Sequence, residues 1–160
     1  MESLNLTPNE NRQTEPDYET ISQAKGGASW FYWIAALSLI NSLIFLFGGN
    51  WSFFAGLGIT QLIDAIVDQI SRSGDLSVIK IIAFIVDLVI AGVFVLCGLW
   101  ANKFQTWAFI VGMALYFLDG ILLFVIGAYF PAGFHAFALF MIFRGLISAR
   151  QINADQNLRA

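Results

Sequence analysis

The chain has 160 residues, 58% of them hydrophobic and 12% charged, against roughly 45–50% and 25% in an ordinary soluble domain. Lipid is therefore the expected solvent. The net charge of -3 signals no particular partner, because Glu2, Glu10, Glu15, Asp17 and Glu19 crowd the start of the chain, and no basic patch reads as a nucleic-acid surface.

Residues 1–27 are polar and rich in Asn, Glu and Thr, and cannot bury enough apolar surface to offset chain entropy. They are expected to form a disordered cytoplasmic tail. The segment does not begin basic and turn apolar as a secretory signal would, so the first apolar stretch is read as a retained anchor.

That stretch, 28–49, reads "ASWFYWIAALSLINSLIFLFGG" and carries no charge. At about 1.5 Å per residue it is long enough to cross a hydrocarbon layer of about 30 Å. Further spans are predicted at 77–100, 106–130 and 132–149, with a short link "ANKFQ" and a tight turn at Phe130 and Pro131 between them. Pro131 suits the first turn of a helix, where a missing N–H costs least. The transmembrane domain thus covers 28–149, and 150–160 is a cytoplasmic C-terminal tail. The fold class is all-α: four transmembrane helices arranged as two antiparallel hairpins.

Between the first two spans, the glycine-rich "GGNWSFFAGLG" (48–58) reads as a flexible interfacial loop. An amphipathic helix is predicted over 58–73. Leu62, Ile63, Ile66, Val67 and Ile70 make its apolar face, and Gln61, Asp64, Asp68 and Arg72 recur three to four apart on the polar face. It is too short and too interrupted to span. The expected position is external, lying along the membrane or capping the bundle.

The positive-inside rule sets the orientation. Arg12, Lys25, Lys103, Arg144, Arg150 and Arg159 fall on one side, against Arg72 and Lys80 on the other. Both termini are expected in the cytoplasm of a bacterial cell, and the membrane is expected to be the plasma membrane.

A shift of 78 residues lays "ALSLINSLIFLFGG" (36–49) over "ALYFLDGILLFVIG" (114–127), so that Asn41 falls on Asp119. A second offset lays "CGLWANK" (97–103) over "RGLISAR" (144–150). Each hairpin would then be one copy of a parallel repeat.

The informative residues are the polar ones inside the spans. Asn41, Asp87 and Asp119 are each expected near the middle of their span. A charge at that depth costs on the order of 2.5–3.5 kcal/mol even on a lenient insertion scale, so such groups face the bundle interior, pair, or stay neutral. One reading makes them interhelical hydrogen-bonding and packing groups. The other makes Asp87 and Asp119 a proton relay, with His135 as the outer-side point of proton uptake. Arg144, in the inner half of the fourth span, is read as a snorkelling anchor or the partner of an aspartate.

Enzymatic chemistry is not expected. Cys97 and His135 are the lone residues of their types, which leaves a metal site or disulfide without ligands in one chain, and no catalytic triad or phosphate loop is present. The first-helix glutamate of small multidrug transporters is replaced by Asn41, and the CxxC of quinone-linked disulfide enzymes is absent. The chain is thus read as a non-enzymatic, structural or accessory membrane protein without a cofactor, its partners being the bilayer and a homo-oligomer or larger membrane complex. The alternative is a small proton-coupled transporter or channel acting as a homo-oligomer.

Overall fold

The computed structural model describes residues 18–47, 56–71 and 77–158. Within them run five helices: α1 (Tyr18–Leu46), α2 (Gly58–Ser71), α3 (Ser77–Ala101), α4 (Thr106–Val125) and α5 (Tyr129–Asn157). Four of these, α1, α3, α4 and α5, are long and apolar enough to cross a membrane. The chain is an all-α, multi-pass membrane protein.

The four long helices close a ring in the order α1, α3, α4, α5, each packed on its two neighbours, and α2 touches α1, α3 and α4. Phe31, Phe94, Phe109 and Tyr116 fill the axis of the ring. Glycines set how closely the helices approach. A Cβ on Gly27 would lie 2.5 Å from the Cα of Gly145, which brings the backbones of α1 and α5 into contact, and a Cβ on Gly112 would collide with the Phe31 ring. Large apolar side chains such as Val78, Ile82, Leu118 and Phe140 cover the outside, as a lipid-facing surface requires.

Three boundaries differ from expectation. Helix α1 begins at Tyr18, so residues 18–27 are helical rather than disordered, while the rest of the expected tail lies outside the described residues. The cause is a partner: α5 runs on to Asn157, past the expected end at Ala149, and the two extensions pack together. Ala24 and Ile152 are buried, and Ser148 Oγ donates to Gln23 Oε1 at 3.3 Å.

The turn between α4 and α5 also moves. Helix α4 stops at Val125, because Gly127 takes a φ of +82°, and the N–H groups of Gly127 and Ala128 close back on the carbonyls of Phe124 and Leu123. This left-handed glycine termination satisfies carbonyls that the helix end would orphan. Pro131 falls in the first turn of α5, as expected, and the chain reversal lies before it, at 126–128. At the opposite end, Phe104 adopts the same left-handed conformation, with φ 59°. The side-chain amide of Asn153 on α5 donates to its carbonyl at 2.9 Å and holds that turn against the bundle.

The largest departure is α2. Helical periodicity identifies two faces, and one residue of each lies in surroundings opposite to those expected. Thr60, Asp64 and Val67 face the bundle and are buried, whereas Ile66 is 49% exposed. The carboxylate of the supposed solvent face thus points inward and an apolar side chain points out. Gln61 is partly buried. Arg72 and the side chain of Asp68 lie outside the described residues.

Candidate functional site

The start of α2 is planted inside the ring of helices. Its first hydrogen-bonding partners are Ser38, eight residues before the end of α1, and Asp119, six before the end of α4, so the helix begins about 10 Å in from those ends. An isolated helix start exposes several N–H groups without acceptors, and in a low-dielectric interior each unpaired group costs on the order of 1–3 kcal/mol. Here the acceptors are supplied by other helices. Leu57 N–H donates to Ser38 Oγ at 2.7 Å. Gly58 N–H donates to Asp119 Oδ2 at 2.7 Å, and Ile59 N–H to Asp119 Oδ1 at 2.8 Å. A carboxylate opposite a helix N-terminus is also favoured by the helix dipole.

Such an approach requires glycine. A Cβ at Gly58 would lie 2.5 Å from Leu123 Cγ, and one at Gly56 would strike the side-chain amide of Asn41. The segment "GLG" at 56–58 is therefore a packed element, not a flexible loop, while 48–55 lie outside the described residues. Asn41 and Asp119, paired by the proposed repeat, address the same short segment from opposite sides of the ring.

His135 completes the anchor. It is 1% exposed, packed inside the bundle six residues after α5 begins. Its Nδ1 is 2.9 Å from the carbonyl oxygen of Pro131 and its Nε2 is 2.8 Å from Asp119 Oδ2. A carbonyl only accepts, so Nδ1 carries a proton. One further proton must then sit between Nε2 and Oδ2. Whether it is written on the imidazole or the carboxyl, the Asp119–His135 pair has no net charge, which removes most of the cost of its burial. Tyr116 lies flat on the imidazole, with ring centres 4.1 Å apart and planes at 15°, and the Cβ position of Gly120 is 3.2 Å from His135 Cβ.

The second half of α2 meets a second acid. Asp87 is 1% exposed, and its Oδ2 accepts from Ser42 Oγ at 2.7 Å. Asp64 of α2 is 6% exposed and in hydrogen-bonding reach of Asp87. Burial, followed by the neighbouring Asp87 charge, pushes Asp64 up to about 7. Oδ1 of Asp87 and the Tyr116 hydroxyl are the two buried side-chain polar atoms without a hydrogen-bond partner among the described residues.

All five helices therefore send a buried polar side chain into one layer: Ser38, Asn41 and Ser42 from α1, Thr60 and Asp64 from α2, Asp87, Asp119 and His135 from the other three. Along their helices, Asn41 lies five residues before the end of α1, Asp87 ten after the start of α3 and Asp119 six before the end of α4. Arg144 is not part of the layer. It is exposed, nine residues or about 13 Å along α5 from His135, and so pairs with neither aspartate. Lys80 lies with Nζ 5.3 Å from the centre of the Phe45 ring. Sequence reasoning also missed Tyr116 and Thr60. For Tyr116 the signal was present, since Gly112, Tyr116, Asp119 and Leu123 recur three to four apart and form the buried face of α4.

Within this layer both nitrogens of His135 and both oxygens of Asp119 are engaged. Beside it, between α3 and α4, lies a cavity of about 450 Å³ lined by apolar side chains such as Leu57, Ile90, Phe94 and Leu118, with Asp119 its polar member. Comparison of the chain with protein families, with curated proteins and with solved structures gives no match.

Proposed function

We propose that the protein is a non-enzymatic accessory component of a plasma membrane, with both termini cytoplasmic, whose intramembrane polar residues secure α2 within the bundle. The observation that carries this reading is the engagement of Asp119: two backbone N–H groups of α2 and the His135 imidazole meet its oxygens. A carboxylate so employed is committed to holding α2 in place. Lys25, Lys103, Arg144 and Arg150 at the end of the bundle that carries the chain termini support a cytoplasmic assignment for that end. The bilayer is the principal partner, and the apolar outer face is also suited to assembly with a second membrane-spanning chain.

A proton-coupled homo-oligomeric transporter working through Asp87 and Asp119 is the second reading, favoured by the unpartnered Oδ1 of Asp87. Reconstitution into vesicles containing a pH-sensitive dye, under an imposed potassium diffusion potential, separates the two. The accessory reading expects proton flux no greater than in protein-free vesicles, with Asp119→Asn altering stability alone. Flux that disappears in Asp87→Asn would overturn it in favour of transport.

A further inference from the structure

The anchor at Asp119 holds only the first turn of α2. Six residues on, Asp64 reaches Asp87 of α3. Two carboxylates with no counter-ion among the described residues form a poor contact, since like charges in a low-dielectric site repel strongly and cannot both ionise cheaply. The surroundings offer little relief. Helix α1 contributes Ser42, which donates to Asp87, and Asn41, neither of them charged. Helix α3 contributes Lys80, whose ammonium sits over Phe45. From α4 comes Asp119, already matched with His135 of α5. On α2 itself, the Asp68 side chain lies outside the described residues.

We propose that Asp64 and Asp87 form a binding site for one proton, and that its occupancy decides whether the body of α2 stays docked on α3. A protonated Asp64 is a donor, and Asp87, whose Oδ1 is buried without one, is the acceptor it meets. The ligand is a proton rather than a metal cation. A desolvated metal ion needs about six oxygens, whereas the carbonyls of α1 and α3 at this level lie within continuous helix, which leaves, among the described residues, the two carboxyls with Ser42 and Asn41. The inference concerns the second half of α2 and stands apart from the role of Asp119, so either could fail without the other.

The direction of the pH effect follows from linkage. Docked, Asp64 is raised to about 7 from an ordinary 3.8; released, it returns to the ordinary value. The docked state therefore holds the extra proton between those limits. Docking is strongest in acid, weakens by up to about tenfold per pH unit as pH rises from about 4 to 7, and then levels off.

The test uses full-length protein in phosphatidylcholine and phosphatidylglycerol vesicles. Nitroxides are placed by Gln69→Cys on the exposed side of α2 and Lys103→Cys at the far end of the bundle, in a Cys97→Ser background, and distances are measured by pulsed electron resonance at pH 4.5 and 8.5. One narrow distance is expected in acid and a second, broader population at alkaline pH. Asp64→Asn supplies a permanent amide donor to Asp87, and should give the acid distance at both pH values. Asp87→Asn, which removes the second charge, carries the same expectation. A parent distribution that ignores pH overturns the proposal. So does a pH response that persists in Asp64→Asn, since it would then belong to another group.

Discussion

Replacing Asp119 by alanine removes three hydrogen bonds at once. Gly58 N–H and Ile59 N–H lose acceptors at 2.7 and 2.8 Å, and His135 Nε2 loses its partner at 2.8 Å. At about 1–3 kcal/mol for each buried donor left unpaired, the two backbone groups alone cost about 2–6 kcal/mol. The orphaned imidazole adds to that. Asparagine is milder. Its carbonyl still accepts one N–H, while its amide turns a donor toward the other, so about 1–3 kcal/mol is lost. Amide hydrogen exchange by NMR, at one fixed pH in detergent micelles, reads the effect where it arises. Protection of Gly58 and Ile59 should fall by about 30-fold or more in Asp119→Ala and by a smaller factor in Asp119→Asn, with the centre of α3 changing least. Equal protection of both amides in parent and alanine variant would refute the clamp.

Two other substitutions probe the same layer. Gly58→Ala forces a Cβ to within 2.5 Å of Leu123 Cγ and should cost about 1–3 kcal/mol in thermal unfolding; adding Leu123→Ala should recover part of it in a double-mutant cycle, and strict additivity would argue against the contact. Tyr116→Phe should change stability by less than about 1 kcal/mol, or raise it, because the buried hydroxyl it removes has no partner. A large loss on denaturant unfolding would mean that the hydroxyl is bonded after all.

Much of this architecture is legible in the sequence. Uncharged runs of spanning length locate the four long helices, and a carboxylate such as Asp119 amid sixteen mostly apolar residues (112–127) identifies a position that must face inward. What stays hidden is relative placement. Periodicity over 58–73 predicts a two-faced helix and Val67 is buried on the expected side, but it carries no information on which partner a polar side chain meets, and Asp64 turns inward while Ile66 faces out. His135 lies near the start of its span, yet its depth depends on where α5 begins, and a glycine termination at Gly127 lengthens that helix outward. Residues 18–27 look too polar to order on their own. Their partners, Gly145, Ser148 and Ile152, lie over a hundred positions away, where no local pattern can report them.

The contact between the start of α2 and Asp119 is the most direct test of the account. Solid-state NMR on bilayer-reconstituted protein, labelled with ¹⁵N at glycine and isoleucine and ¹³Cγ at aspartate, measures it as a dipolar coupling. Hydrogen bonds of 2.7 and 2.8 Å predict couplings from the Gly58 and Ile59 nitrogens to Asp119 Cγ that vanish in Asp119→Asn, whose side chain carries no aspartate label. If the parent lacks those couplings while α2 remains helical, the helix lies at the membrane surface and Asp119 does not hold it.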